Sequence, residues 1–129
     1  MSVLNDPPNI RRLDSTRPEL FAVEITGHLT ASDVENLYGL LEGFYVLHDR
    51  VDLLMRIVEF EGVEWRDVSP ETIEAASQHA EHHIARCATV GEHGAGQRIA
   101  DIFCPPAAET RHFSTQEEDQ AWEWLGEAG

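Results

Sequence analysis

Residues 51–60 form the most apolar stretch of the chain and constrain its fold more than any other feature. Apolar side chains follow one another here without the alternation of a strand that has one face in water. A run of this kind is typical of a central strand that is covered on both faces. Arg56 stands out within it, and we expect its guanidinium to pair with a carboxylate or to reach solvent.

Strand and helix patterns alternate on both sides of this run. Strands are predicted at residues 10–13, 20–25, 51–60, 84–90 and 109–113, and helices at 30–47, 69–83, 97–103 and 116–125. The fold class is therefore α/β, with a single-layer, mainly parallel five-stranded sheet, an antiparallel N-terminal strand and about four helices. Residues 1–9 are expected to form a flexible arm, and residues 10–129 one domain.

The first helix has the clearest pattern. Thr30 is a predicted N-cap, and apolar residues then recur with helical spacing through residue 47. Leu40 and Leu47 are expected to widen its buried stripe. Gly39 and Gly43, one turn apart, are expected to let the helix pack closely on the sheet.

Charge and composition exclude several classes of function. The formal charge of −15 opposes binding to nucleic acid or to an anionic membrane surface. No apolar run approaches the roughly 20 residues of a membrane span, and the N-terminus lacks the features of a signal peptide. Cys87 and Cys104 are expected to be two reduced, partly buried thiols in a cytoplasmic protein.

Five short segments resemble a known family. They are GHLTASD (27–33), EFEGVEW (59–65), RCATVG (86–91), RHF (111–113) and AWEWL (121–125). Over roughly residues 10–125 the chain resembles the SpoIIAA-like family, small domains related to the STAS domains of anti-sigma-factor antagonists. It departs from the family at Arg56, where relatives tend to carry an acid, and at residues 94–96, which are often aromatic and basic in relatives.

This resemblance implies an open sheet with helices packed on it, no catalytic activity and no cofactor. It suggests a non-enzymatic binding domain for an apolar small molecule or lipid. The alternative is a protein-interaction or regulatory module of the anti-sigma-factor-antagonist type. The expected partners are accordingly an apolar small molecule or a protein, a second copy of the chain among them, with no nucleic acid and no membrane insertion.

Four aromatic residues are the predicted ligand-binding residues. Phe44 and Tyr45 lie on the first long helix, while Phe60 and Trp65 follow the central strand. We expect them to gather near the carboxyl ends of the strands, where open α/β sheets bind ligands. The alternative is that most of them are ordinary core residues, with Trp65 partly exposed in a loop.

Ser69 is a candidate phosphorylation site because the resemblance places the switch serine near this helix start. Pro70 replaces the glycine usual in the family, and Ser69 is equally explained as an N-cap.

The spacing of His79, His82 and His83 allows a two-nitrogen metal clip, with His93 or His112 as a third ligand. A solvated, histidine-rich helix face is the favoured interpretation, so no metal site is predicted. The glycine-rich segment 91–96 lacks the order of a phosphate-binding loop.

Neither cysteine shows the setting of a nucleophile, and the acidic residues form no evident acid–base pair. We therefore predict no enzyme and no catalytic residue. In the last helix, Trp122 is expected to be buried and Trp124 more exposed.

Overall fold

The computed structural model describes residues 9–92, 94 and 96–126. The predicted N-terminal arm lies outside this part except for Asn9, as do His93, Ala95 and residues 127–129. The strands are β1 (Ile10–Leu13), β2 (Leu20–Leu29), β3 (Val51–Val63), β4 (Ile84–Gly91) and β5 (Glu109–Phe113). The helices are α1 (Ala31–Leu47), α2 (Pro70–His83), α3 (Gln97–Phe103) and α4 (Glu118–Trp124), with 3-10 turns at Trp65–Asp67 and Thr115–Glu117.

The predicted sheet is confirmed. The five strands lie in the order β1-β2-β3-β4-β5, with β1 antiparallel to β2 and the other pairs parallel. β3 occupies the centre because its nearly continuous apolar run can be buried on both faces. No helix within the described residues is long and apolar enough to cross a membrane.

Two hydrophobic clusters cover the two faces of the sheet. On one face, alternate side chains of β2 and β3 pack against α1, α2 and α3, with Phe21, Met55 and Phe103 fully buried. On the other face, α4 packs through Ala121 and Leu125 against the opposite side chains. The expectation for the two neighbouring tryptophans is wrong, since Trp122 and Trp124 are both half-buried at the edges of this second cluster.

β2 and β3 continue past their predicted ends. The predicted second strand ends at residue 25, but the pairing of β2 with β3 extends to Leu29 opposite Val63. The register shifts on both sides of Gly27, which takes the left-handed φ of 74°, and Glu59 of β3 also has a positive φ of 48°. This bulge keeps β2 and β3 paired at a position where a glycine would usually indicate a turn.

Two expectations about α1 are wrong. Leu40 and Leu47 are 44% and 75% exposed and do not face the core. A Cβ atom added to Gly39 or Gly43 would meet no atom of residues 9–92, 94 and 96–126 within 4 Å, apart from the adjoining turns of the helix, so neither glycine lies against the sheet. The buried side of α1 consists of Val34, Leu37, Leu41 and Tyr45.

The expectation of two reduced thiols is also not met. Cys87 on β4 and Cys104, the residue after α3, form a disulfide, with their Cα atoms 5.8 Å apart. Cys87 points into the cluster that α3 covers, which brings the two sulfur atoms together. The 17-residue separation did not predict this contact, because it depends on how α3 packs over the sheet.

Candidate functional site

The solvent side of α1 is apolar. Leu40, Val46 and Leu47 are the exposed large hydrophobic residues of the described chain, at 44%, 84% and 75% exposure. With Gly39 and Gly43 they form one stripe, because residues three, four and seven apart share a side of a helix. We call these five residues the α1 face. The solvent side of a surface helix is ordinarily polar or charged, so this face has the composition of a contact surface.

A hollow of about 480 Å³ lies at the N-terminal end of the α1 face. It is lined by Asn9, Ile10, Asp33, Glu35, Asn36, Gly39 and Leu40. Asn9 closes one side, since its amide donates to the carbonyl of His28 and to Asp33 Oδ2 at 2.9 and 3.4 Å. The α1 face therefore offers protruding side chains at its C-terminal end and a recess at its N-terminal end.

A second surface lies at the carboxyl end of β3. Trp65 is half-buried against the core, and the Arg98 guanidinium lies 4.5 Å from the centroid of its ring. Val63, Glu64, Trp65, Arg66 and Asp67 line an open hollow of about 450 Å³ beside it. Glu64 Oε2 is also 2.9 Å from His28 Nε2. The indole is thus accessible, but its surroundings are mainly charged.

The four predicted ligand-binding residues lie at opposite edges of the sheet. Phe60 and Trp65 are half-buried at the carboxyl end of β3. Phe44 packs edge-on against Phe21 near the start of β2, with ring centroids 5.3 Å apart. Phe21 is in register with Leu53, and seven strand residues from there to Phe60 span roughly 20 Å. The four residues therefore do not share one pocket.

Tyr45 is part of the core rather than of an open surface. It is 6% exposed and stacks on the His83 ring at a centroid distance of 4.5 Å. Burial raises the pKa of its phenol, and Glu42 and Tyr38 add to the increase. Its hydroxyl has no hydrogen-bond partner within the described residues.

Ser69 caps α2. Its hydroxyl oxygen accepts from the backbone N–H groups of Glu71 and Thr72, at 3.2 and 3.4 Å, and its hydroxyl donates to Glu71 Oε1 at 2.7 Å. These contacts account for the serine as a structural residue. The Glu71 carboxylate would face a phosphate attached at this position.

The histidines of α2 have separate partners. His79 Nδ1 lies 2.7 Å from Glu42 Oε2, His82 Nδ1 donates to the Gln78 carbonyl, and His83 Nδ1 donates to the Asp49 carbonyl. Within residues 9–92, 94 and 96–126, no three His, Cys, Asp or Glu side chains come together in a way that could hold a metal ion.

The expected carboxylate partner of Arg56 is confirmed. Its guanidinium contacts Glu24 Oε2 at 2.8 Å and Glu118 Oε2 at 2.7 Å. Glu24 also pairs with Arg11, and Glu118 accepts from the indole N–H of Trp122. Burial acts to lower the pKa of Arg56, but these two carboxylates raise it above its ordinary value. The network ties β1, β2, β3 and α4 together across the sheet.

Sequence reasoning missed a second charged cluster, centred on Asp52. Asp52 Oδ2 accepts from Arg17 Nη1 at 2.8 Å and from Arg86 Nη2 at 2.6 Å. Arg86 also donates to the Trp124 carbonyl, and Arg17 to the Leu125 carbonyl. The signal was available, because Asp52 interrupts the apolar run just as Arg56 does.

Comparison with known proteins gives one family and one fold. A family model described as SpoIIAA-like matches residues 20–126. The solved structure of an uncharacterized protein from Shewanella loihica PV-4 with a SpoIIAA-like fold superposes with a TM-score of 0.64 at 24% identity, covering 90% of this chain and 91% of that one. At this identity the superposition shows a shared fold. No curated protein matches the chain.

Proposed function

The chain belongs to the SpoIIAA-like family, and from this premise we propose that it is a non-enzymatic binding domain that contacts another protein through the α1 face. The observation that carries the proposal is the composition of that face. Three large apolar side chains, at 44%, 84% and 75% exposure, lie side by side with two glycines on a helix whose opposite side already forms the core. Side chains of this kind do not stabilise a monomer while they are exposed to water.

A protein partner fits this surface better than a lipid does. A lipid-binding site usually encloses most of its ligand in an apolar cavity. Here the predicted aromatic residues divide between two edges of the sheet, and Tyr45 is buried in the core. An open helix face with a neighbouring recess is suited to the side chains of another protein.

The test uses the whole chain in its native cells, with a photo-crosslinking residue at Val46 or, as a control, at the exposed Gln78 of α2. We expect one discrete cross-linked protein product from position 46 and none from position 78. Leu47→Glu should abolish the product because it places a charge in the contact. If products at the two positions are alike, or Leu47→Glu leaves the product at position 46 unchanged, the α1 face is not the binding surface.

An apolar small molecule at Trp65 is a second candidate. It is supported by a half-buried indole next to Phe60 and Arg98 at the sheet edge where open α/β sheets bind ligands. Titration with a panel of fatty acids should shift the tryptophan emission of the wild-type protein, and Trp65→Phe should remove that shift. An unchanged response in Trp65→Phe would assign the signal to Trp122 or Trp124 and reject this site.

A further inference from the structure

We infer that the partner on the α1 face is a second copy of this chain, with the two α1 helices crossing antiparallel near Gly43. The inference rests on the proposed function, because it names the partner of the same face. A two-fold contact requires one surface to complement itself, so each copy must carry both a protrusion and the recess that receives it.

The α1 face carries both features at matching distances from Gly43. Val46 and Leu47 protrude one turn after Gly43, and Gly39 lies one turn before it beside the 480 Å³ hollow. Rotation by a two-fold axis through Gly43 places Leu47 of one copy over Gly39 and the hollow of the other. The same two-fold axis places Leu47 of the second copy over Gly39 and the hollow of the first.

The glycines make a close crossing feasible. An added Cβ at either Gly39 or Gly43 would point into open space, where no atom of the described residues outside the adjoining turns of α1 lies within 4 Å. Glycine is a poor residue for a helix interior, and no contact within the described chain accounts for it at these two positions. A second helix approaching over Gly43 can come closer than it could over any larger residue.

Charge favours the antiparallel direction. Asp33 and Glu35 lie at the N-terminal end of the face, while Arg12 lies over the Phe44 ring near its C-terminal end. Antiparallel crossing brings the acidic end of each copy towards Arg12 of the other. Parallel crossing would place Glu35 against Glu35.

Other charged groups border the face without entering its centre. Glu42 lies at its flank, within 2.7 Å of His79, and Asp49 and His48 lie near its C-terminal end. The five residues of the α1 face are uncharged, which matters for a chain with a formal charge of −15. Two copies can thus meet at a place where desolvation of charge is small.

Analytical ultracentrifugation of the full chain over the micromolar range tests the inference. We expect a concentration-dependent dimer. Leu47→Glu should weaken its association by at least about tenfold, as loss of one apolar anchor does in other interfaces. Gln120→Glu, which adds the same charge at an exposed position of α4, should leave association unchanged. Matching thermal unfolding of the two variants will show that both are folded.

Reciprocal charge reversal tests the direction of crossing. Glu35→Arg and Arg12→Glu should each weaken self-association because each places like charges together. An equimolar mixture of the two variants should associate more tightly than either alone, since both contacts between them join opposite charges. No gain on mixing would reject the antiparallel crossing.

The outcomes separate this inference from the proposed function. A wild-type chain that stays monomeric throughout the concentration range overturns the inference, but the cross-link from Val46 to a different protein would still support the proposed function. A dimer that Leu47→Glu does not weaken overturns the inference as well, because the copies would then meet elsewhere. If the photo-crosslinking residue at position 46 gives no cross-linked protein product at all, both the proposed function and this inference are rejected.

Discussion

Asp52→Asn is the substitution for which the structure gives the clearest expectation. Asp52 is 6% exposed at the start of β3, and its carboxylate accepts from Arg17 and Arg86. The same two guanidiniums donate to the last carbonyls of α4 and the residue after it. Removing the charge therefore loosens the contact that holds β3, β4 and α4 together at this edge of the sheet.

The magnitude follows from two charge-assisted hydrogen bonds. Each contributes about 1.5–3 kcal/mol to stability. The Arg17 and Arg86 side chains are 27% and 31% exposed, so water replaces part of what is lost, and asparagine keeps one oxygen acceptor. We expect Asp52→Asn to reduce the free energy of unfolding by about 2–3 kcal/mol at neutral pH.

The loss should depend on pH in a defined direction. Burial acts to raise the pKa of Asp52, but the hydrogen bonds from Arg86 and Arg17 more than offset it and hold the pKa below its ordinary value. The carboxylate therefore stabilises the fold above the pKa of an unfolded aspartate, about 3.9. That contribution falls as the pH drops through the lowered pKa of the folded state.

Urea unfolding followed by far-UV circular dichroism measures both effects. The difference between wild type and Asp52→Asn should be constant near neutral pH and should shrink below about pH 4. Asp14→Asn, at an exposed acid in the loop before β2, is the matched control and should change stability by less than about 0.5 kcal/mol. Equal losses in the two variants, or a difference for Asp52→Asn that grows in acid, would refute this account.

Other variants test the remaining contacts. Arg56→Met should cost about 1–2 kcal/mol of unfolding free energy, because an apolar side chain replaces a partly exposed ion pair, and a loss above that range would show a more desolvated network. Cys104→Ser should lower stability by about 3 kcal/mol and match the reduced wild-type protein. Ser69→Ala should cost about 1 kcal/mol through the lost cap, and Ser69→Asp clearly less. Trp122→Ala and Trp124→Ala should each cost about 2–3 kcal/mol, and a difference above 1 kcal/mol would show that one indole dominates.

The sequence predicted the sheet well because the strongest signals came from burial. An apolar run without alternation has few other places in a small α/β protein, and it fixed β3 at the centre. The end of β2 was not predicted, because Gly27 is a common sign of a turn. Here it accommodates a bulge instead, and pairing continues beyond it.

The prediction that the four aromatic residues gather at one edge of the sheet is wrong for a topological reason, and the sequence already contained that reason. A helix between two parallel strands runs back along the sheet, so its last residues lie near the amino ends of the strands. Phe44 and Tyr45 end such a helix, whereas Phe60 and Trp65 follow the carboxyl end of β3. The predicted alternation of elements therefore already placed the two pairs at opposite edges.

The exposed α1 face was not predicted, because the helical spacing predicts a single buried stripe for all the apolar residues of α1. At 100° per residue, however, Leu40 and Leu47 lie about 100° or more from the middle of the buried side. Their positions on the helical wheel could have shown that they point outward. What sequence alone could not show is that Gly39 lies beside a hollow, because Ile10 of β1 forms part of its wall.

The basic residues explain why a contact between copies would be confined to this face. The chain contains nine arginines and no lysine. The arginine side chain can form two parallel hydrogen bonds with a carboxylate, and it can also stack on aromatic rings. Arg11, Arg17, Arg56 and Arg86 hold carboxylates, while Arg12, Arg98 and Arg111 lie over aromatic rings. Most of the positively charged side chains therefore make contacts within the fold. The net charge of −15 makes two copies of the chain repel each other. Because that repulsion is screened beyond about 8 Å at physiological ionic strength, what opposes a second copy is the charge within the contact, and the α1 face carries none.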